Sequence, residues 1–268
     1  MNHVGSSLSK QQIEAINNLL DIVSERQRKD FGNINSYLKS DGSLITECDK
    51  WSDKTIVNHL SDITVKEGVL SEEGSKLVPE TSNYWVVDPL YGTTNFSTGI
   101  PFWAISLARF TNGKPQIAFL DIPPLKKRIF AVKGKGVWLN GNEIKKEDKD
   151  ANQSSIVSLC SRSIRVLQNK PNKPFPGKIR LLGVASLNMA SVAIGQTIGA
   201  LEATPKIWDL AAAWLVLSEL GCSIKWLDKD PANLICGNDL SDISFPVLIA
   251  RSEDELLRLM PWGEALRC

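Results

Sequence analysis

Histidine is nearly missing from this chain of 268 residues, which has only His3 and His59. That scarcity argues against an imidazole-built zinc centre, and a Ser-His-Asp triad would have to use one of the two. An excess of charge is missing as well. Lys and Arg number 31 against 30 Asp and Glu, a formal net charge of +1, so there is no broad electrostatic footprint for nucleic acid. No C-x-x-C occurs. The five cysteines (Cys48, Cys160, Cys222, Cys236, Cys268) are odd in number and scattered, which reads as reduced thiols of a cytoplasmic protein rather than a disulfide framework or zinc site. No apolar run approaches the ~20 residues of a membrane span, and Met1 to Gln12 is polar, unlike a signal peptide. P-loop spacing and the Rossmann glycine fingerprint are also lacking, since Gly134 and Gly136 stand without the rest of the pattern. What is present is an ordinary globular composition, 43% hydrophobic and 23% charged, long enough for a substantial core. Carboxylates are left as the main pool for acid–base or metal chemistry.

Ser9 with Gln12 fits a capping box, and Ile13, Ile16, Leu20 and Val23 then recur at helical spacing, predicting a helix to about Arg28. A turn at Asp41-Gly42 precedes Leu44-Ile45-Thr46. A second helix is expected from about Lys50 to Leu60, with Trp51, Thr55 and Leu60 on its inner face. Short β-prone runs follow at Tyr84 to Val87, Phe102 to Phe110, Gln116 to Ile122 and Arg128 to Val132. Asn140-Gly141 signals a hairpin between Val137-Trp138-Leu139 and Glu143-Ile144. The polar stretch Lys145 to Gln153 divides an N-terminal half (about 1–150) from a C-terminal half (about 151–268) of one domain, and Lys170 to Pro176 reads as a surface loop. The second half alternates. Strands are expected at Ser155 to Leu159, Ile179 to Leu182, Ala200 to Ala203, Ser223 to Trp226 and Phe245 to Ala250. Helices are expected at Leu187 to Thr197, Leu210 to Leu220 and Glu253 to Leu259, the last capped by Ser252 with Glu255. The class is α/β with layered sheets and helices, and the strand order is not legible.

Acidic residues stand at the ends of these elements. Asp49 and Asp209 lie at helix starts, where an N-cap is the commoner role. Glu72 and Glu73 follow the apolar Val69-Leu70 and could be solvated turn residues. Asp88 is different: it ends Trp85-Val86-Val87 and leads into Pro89-Leu90-Tyr91-Gly92-Thr93-Thr94-Asn95-Phe96. Glycine and small hydroxylated residues there can present backbone N–H groups to an anion. Carboxylates beside such a nest suit Mg²⁺ bridging protein oxygens to a phosphate.

Trp85 to Phe96 resembles the inositol monophosphatase signature W-[IV]-[IV]-D-P-[IL]-D-G-T-T-N-F. Trp208-Asp209-Leu210-Ala211-Ala212 through Glu219-Leu220-Gly221 resembles the second signature, W-D-x-A-A-x-x-x-[LI]-[VI]-x-E-x-G-G. Leu44 to Asp49 is similar to the family's [LV]-V-T-x-x-D, Ser71-Glu72-Glu73 to its G-E-E, and Gly183 to Asn188 to its G-[ST]-A-A-L-N. These five matches fall in order, and the resemblance runs from about residue 9 to 259.

The resemblance implies an αβαβα sandwich of the inositol monophosphatase/fructose-1,6-bisphosphatase type. It also implies a homodimer that hydrolyses a small polyol or sugar phosphate monoester with Mg²⁺. On it, Glu72, Asp88 and the Leu90 carbonyl would hold a first metal, and Asp88 with Asp209 part of a second. Asp49 and Thr93 would help activate the attacking water. The N–H groups of Gly92 and Thr93 would take the phosphate, while Gly183, Val184, Ala185 and Glu202 would line the substrate pocket. Tyr91 departs from the pattern: the family has Asp there, a ligand of the second metal. A phenol with a pKa of about 10 is neutral at pH 7 and a poor Mg²⁺ ligand. Val184, where Ser or Thr is usual, removes a hydroxyl from the pocket. Two functions follow: a Mg²⁺-dependent phosphatase impaired by Tyr91, or a pseudo-phosphatase that binds phosphorylated ligands without efficient turnover.

Overall fold

The computed structural model describes residues 8–145, 155–169 and 174–266. Helix α1 (Lys10–Asp30) starts at the Ser9 capping box, as its sequence predicts, and runs two residues further than expected. A small hairpin, β1 (Ser36–Leu38) with β2 (Leu44–Thr46), leads into α2 (Glu47–Ile63). This second helix begins three residues before its expected start, because Thr46 rather than Asp49 is its N-cap. Leu60 is buried on its inner face together with Ile56, while Trp51 and Thr55 are half-buried.

Seven strands follow: β3 (Gly68–Ser71), β4 (Asn83–Tyr91), β5 (Ala104–Thr111), β6 (Lys114–Ile122), β7 (Lys127–Val132), β8 (Gly136–Leu139) and β9 (Asn142–Ile144). They form one sheet in chain order, with β3 parallel to β4 and every other pair antiparallel. A short helix, α3 (Thr93–Thr98), interrupts the run after β4. The β8–β9 turn uses Asn140 (φ 49°) and Gly141 (φ 81°), the two left-handed residues a tight hairpin requires.

The second half supplies β10 (Ile156–Leu159), α4 (Arg165–Asn169), β11 (Lys178–Arg180), α5 (Ala185–Ala193), β12 (Gly199–Glu202), α6 (Ile207–Glu219), β13 (Ser223–Trp226), β14 (Val247–Ala250) and α7 (Glu253–Ala265). Its five-stranded sheet has the order β11-β10-β12-β14-β13. The expected elements are all present, shifted at their ends. The expected boundary at 145–153 and the loop at 170–176 lie largely outside the described residues.

Three apolar clusters define the layers. Leu19, Leu20 and Val23 of α1 and Ile56 and Leu60 of α2 pack on Trp85, Val87, Leu107 and Phe119, one face of the large sheet. Leu187, Val192, Leu210 and Val216 of α5 and α6 fill the space between the two sheets. Val166 of α4 and Leu256, Leu259 and Trp262 of α7 cover the outer face of the small sheet. The order is therefore αβαβα. Residues alternate between faces along a strand, so Trp85 and Val87 point to α1 and α2 while Val86 and Asp88 point to α6. Helices α5 and α6 are apolar nearly all round because both their sides meet a sheet, and every residue of α5 is buried. Among the described residues no helix is long and apolar enough to cross a membrane.

Candidate active site

Parallel pairing of β3 with β4 sets Ser71 opposite Val87. Glu72 and Asp88 consequently leave the sheet side by side, and the Glu72 N–H donates to the Val87 carbonyl at 3.2 Å. Asp88 lies opposite Ser106 on β5, whose hydroxyl donates to the Trp208 carbonyl at 3.2 Å. That bond draws the first turn of α6 onto the sheet and delivers Asp209. One carboxylate oxygen from each of Glu72, Asp88 and Asp209 lies within 4.8 Å of the others. The Lys206 N–H donates to Asp209 Oδ2 at 2.7 Å. Asp209 is thus the third helical residue reaching back to the cap, not the cap itself.

This cluster is electrostatically unresolved. Asp88 is fully buried; its Oδ1 accepts the Leu90 N–H at 3.1 Å, but its Oδ2 has no hydrogen-bond partner. Burial, and then the charges of Glu72 and Asp209, push the Asp88 pKa well above the carboxylate range. Burial and then Glu72 do the same to Asp209. Burial also raises Glu72, against the pull of Lys39, whose ammonium sits 3.2 Å from Glu72 and 2.6 Å from Glu73. Glu73 is pushed up to about 7 by burial and by Glu72. Neither glutamate is a solvated turn residue. Three carboxylates converging with an orphaned oxygen fit a divalent cation, which prefers oxygen ligands and would compensate the stacked charge. The sequence pattern gave no sign of Lys39, two residues before the Asp41-Gly42 turn.

The loop after Asp88 is tied down from several sides. The register slips between Asp88 and Tyr91, where Pro89 cannot donate to a ladder. Gln27 of α1 holds the Pro89 carbonyl at 2.8 Å and accepts the Trp103 indole N–H at 3.0 Å. Gly92 has φ 105°, and a Cβ there would meet Val184 Cγ2 at 2.8 Å and the Phe102 carbonyl at 3.1 Å, so only glycine fits. Thr93 donates its hydroxyl to Asp49 Oδ1 at 2.8 Å, with the Leu90 carbonyl at 3.3 Å. Asp49 accepts the Thr46 N–H at 2.8 Å and the Thr46 hydroxyl as well, and burial raises its pKa against these bonds. Asp49 closes the capping box of α2 while holding Thr93, two tasks for one carboxylate.

Across the loop, Asn95 donates to the carbonyls of Phe102 (2.9 Å) and Leu182 (2.8 Å), pinning Gly183-Val184-Ala185 against it. Tyr91 turns toward that segment, and its hydroxyl accepts the Ala185 N–H at 3.0 Å. Burial, then the nearby Asp209 and Glu202 charges, push the phenol well above its ordinary pKa, so it stays neutral. Glu202, at the end of β12, is buried, accepts the Asn188 amide at 2.7 Å, and is raised by burial to about 7. Asn95 and Asn188 both lie inside the motifs of the sequence, yet only the folded contacts reveal their supporting work.

Comparison with known proteins supplies the remaining context. The chain is 26% identical over 216 residues to a "Fructose-1,6-bisphosphatase/inositol-1-monophosphatase" of Thermotoga maritima, a match covering 78% of this chain and 82% of that protein. It is 33% identical over 219 residues to the "Nus factor SuhB" of Xylella fastidiosa, covering 75% and 79%. Among solved structures, an IMPase/NADP phosphatase complexed with Mg²⁺ and phosphate superposes with a TM-score of 0.76 at 25% identity, covering 93% of this chain and 95% of the other. Residues 6–252 match the model of the inositol monophosphatase family. The chain belongs to the inositol monophosphatase family, a family of phosphatases.

Proposed function

We propose that this protein hydrolyses a small polyol or sugar phosphate monoester with Mg²⁺, at a rate reduced by Tyr91. The convergence of Glu72, Asp88 and Asp209 around an unpartnered Asp88 oxygen carries the reading. Glu72, Asp88 and the Leu90 carbonyl would hold one Mg²⁺, and Asp88 with Asp209 would offer a weaker second position. The bound cation supplies electrostatic stabilisation of the phosphoryl oxygens and a more acidic water. Backbone N–H groups of Gly92 and Thr93 would orient the phosphate. Because Thr93 gives its own proton to Asp49, its oxygen is free to accept one from the attacking water, with Asp49 as the terminal base. Glu202 and the 183–185 segment would face the alcohol part. The related phosphatases named above, and a histidinol-phosphatase of Mycobacterium tuberculosis at 28% identity, support this chemistry. As in the family, the working unit would be a homodimer in the cytoplasm.

Tyr91 favours a second reading, a pseudo-phosphatase. Its hydroxyl takes the Ala185 N–H, a donor on the substrate side of the pocket, and it returns no carboxylate to the second metal position. Turnover of a panel of phosphate monoesters by the wild type, Tyr91→Asp and Tyr91→Phe separates the two. Tyr91→Asp is expected to raise kcat by roughly 10²-fold or more, the scale of a restored charge-stabilising group, and Tyr91→Phe to leave it unchanged. An unchanged rate in a folded Tyr91→Asp protein makes the binding protein the better reading.

A further inference from the structure

Seven strands spaced about 4.8 Å apart make a sheet roughly 29 Å wide, whereas two helices about 10 Å across cover only some 20 Å of it. On its outer face, α1 and α2 pack against β3 to β6 and reach Phe130 and Val132 of β7, which stay only partly buried. Strand β8 therefore extends past α1. Phe130 and Trp138, paired across β7 and β8, remain half-buried on that face with ring centroids 5.6 Å apart. Together with α1 and the β6–β7 connection they line a half-open cleft of about 620 Å³. It lies on the opposite side of the sheet from Asp88: Asp121, which lines it, pairs with Ile105 of the α1 face, whereas Asp88 pairs with Ser106 of the α6 face.

Charge around this cavity is distributed unequally. Arg128 is fully committed, to Asp121 at 2.7 Å, to Asp21 at 2.9 Å and to the Asn17 carbonyl at 3.1 Å. Arg28, Lys126 and Lys127 also line it and have no acidic partner among the described residues. Lys126 is moreover held in a left-handed conformation (φ 52°), unfavourable for a lysine, with its carbonyl fixed by the Asn140 amide at 3.1 Å. A cavity of ligand size with two ring faces on one wall and three unanswered cations at its rim selects a planar ring joined to an anion.

We propose that this cavity is a second binding site, distinct from the catalytic one, for a planar aromatic ring carrying a phosphate, of which a nucleoside monophosphate is the natural type. The ring lies against Trp138 and Phe130, and the phosphate is held by Arg28, Lys126 and Lys127. Calorimetric titration of the whole chain with adenosine monophosphate tests this, with ribose 5-phosphate and adenosine as partial probes. The monophosphate is expected to bind at least tenfold more tightly than either part. Lys126→Glu/Lys127→Glu is expected to weaken it at least tenfold, and Trp138→Leu roughly tenfold through lost stacking. Thr93→Ala, which alters the catalytic loop, is expected to leave the affinity unchanged. Should the double reversal unfold, Arg28→Ser, on an exposed position of α1, repeats the test. The proposal is overturned if no saturable binding occurs below about 1 mM. It is also overturned if ribose 5-phosphate binds as well as the monophosphate. Unchanged affinity in both the lysine and the Trp138 variants would place the ligand in the catalytic loop instead and overturn the proposal.

Discussion

Asp88 and Asp121 lie two strands apart near one end of the same sheet, opposite the consecutive residues Ser106 and Ile105, and point to opposite faces. Both are buried carboxylates. Asp121 is met by Arg128 directly across the β6–β7 register, by the Ser24 hydroxyl, and through Arg128 it joins Asp21. Asp88 is met by two further carboxylates and, among the described residues, no cation, with one oxygen unbonded. Burial raises the pKa of each, but Arg128 opposes that rise at Asp121, while Glu72 and Asp209 add to it at Asp88. A carboxylate that serves the fold arrives with its counter-charge in the same chain. One proposed to serve chemistry is left in need of a charge from outside, and the fold bears the cost.

Neutralising Asp88 puts this contrast to its severest test. Asp88→Asn removes the shared ligand of the proposed metal positions, so activity should fall at least about 10³-fold, the scale of losing a preorganised charge-stabilising group. Thermal stability of the metal-free protein should nevertheless hold or rise, because repulsion with Glu72 and Asp209 is relieved. A large loss of stability would mean that Asp88 is a structural carboxylate after all. The matching change on the other face has the opposite signature. Arg128→Met strands Asp121, and urea denaturation should show a loss of about 3 kcal/mol, the usual cost of removing one partner of a buried pair. Turnover per folded molecule should not change.

A smaller effect concerns Glu202, whose charge is also unanswered. Burial lifts its pKa from the ordinary 4.5 to about 7. Between those values the folded chain holds a proton that the unfolded chain releases, so stability falls as pH rises through this window. The penalty is absent below about pH 4.5 and complete above about pH 7, on the order of 3 kcal/mol. Urea midpoints measured from about pH 5 to about pH 8 should therefore decline in the wild type and decline less in Glu202→Gln. Equal slopes would place the titration elsewhere in the cluster.

Much of this was legible before folding was considered, but not evenly. Ser9-Gln12, Asn140-Gly141 and Ser252 act within three residues, so pattern alone located the ends they define. The start of the second helix is ambiguous in the sequence because Thr46 and Asp49 are both good caps, and only the reciprocal bond between them shows which begins the helix. The family motifs brought forward Asp88, Glu72 and Asp209. Their conflict of charge depends on a parallel register between β3 and β4 and on the bond from Ser106 to Trp208, pairings separated by many residues. Lys39 illustrates the limit: it meets Glu72 and Glu73 from a loop more than thirty positions earlier, with no periodicity to announce it. The aromatic cavity beyond α1 was likewise invisible, since it follows from how many strands two helices can cover.

The least effect is expected where charge meets water, and it completes the comparison. Arg26 and Asp30 pair at 2.6 Å, one turn apart on α1, with 44% of the arginine side chain exposed. Such a pair contributes about 0.3–0.5 kcal/mol, since solvent already stabilises the arginine, although only 16% of the Asp30 side chain is exposed. Asp30 is also the last residue of α1, where an acidic side chain faces the negative end of the helix dipole at a cost of similar size. The two contributions oppose each other. Arg26 keeps its second contact, with its guanidinium 5.3 Å from the Trp51 ring centroid, when the acid is removed. Asp30→Ala should accordingly shift stability by less than about 0.5 kcal/mol in either direction, with no change in turnover. A loss above about 1 kcal/mol by urea denaturation would show that partner distance, not exposure, sets the worth of a charge in this fold, and the contrast between Asp88 and Asp121 would then need another cause.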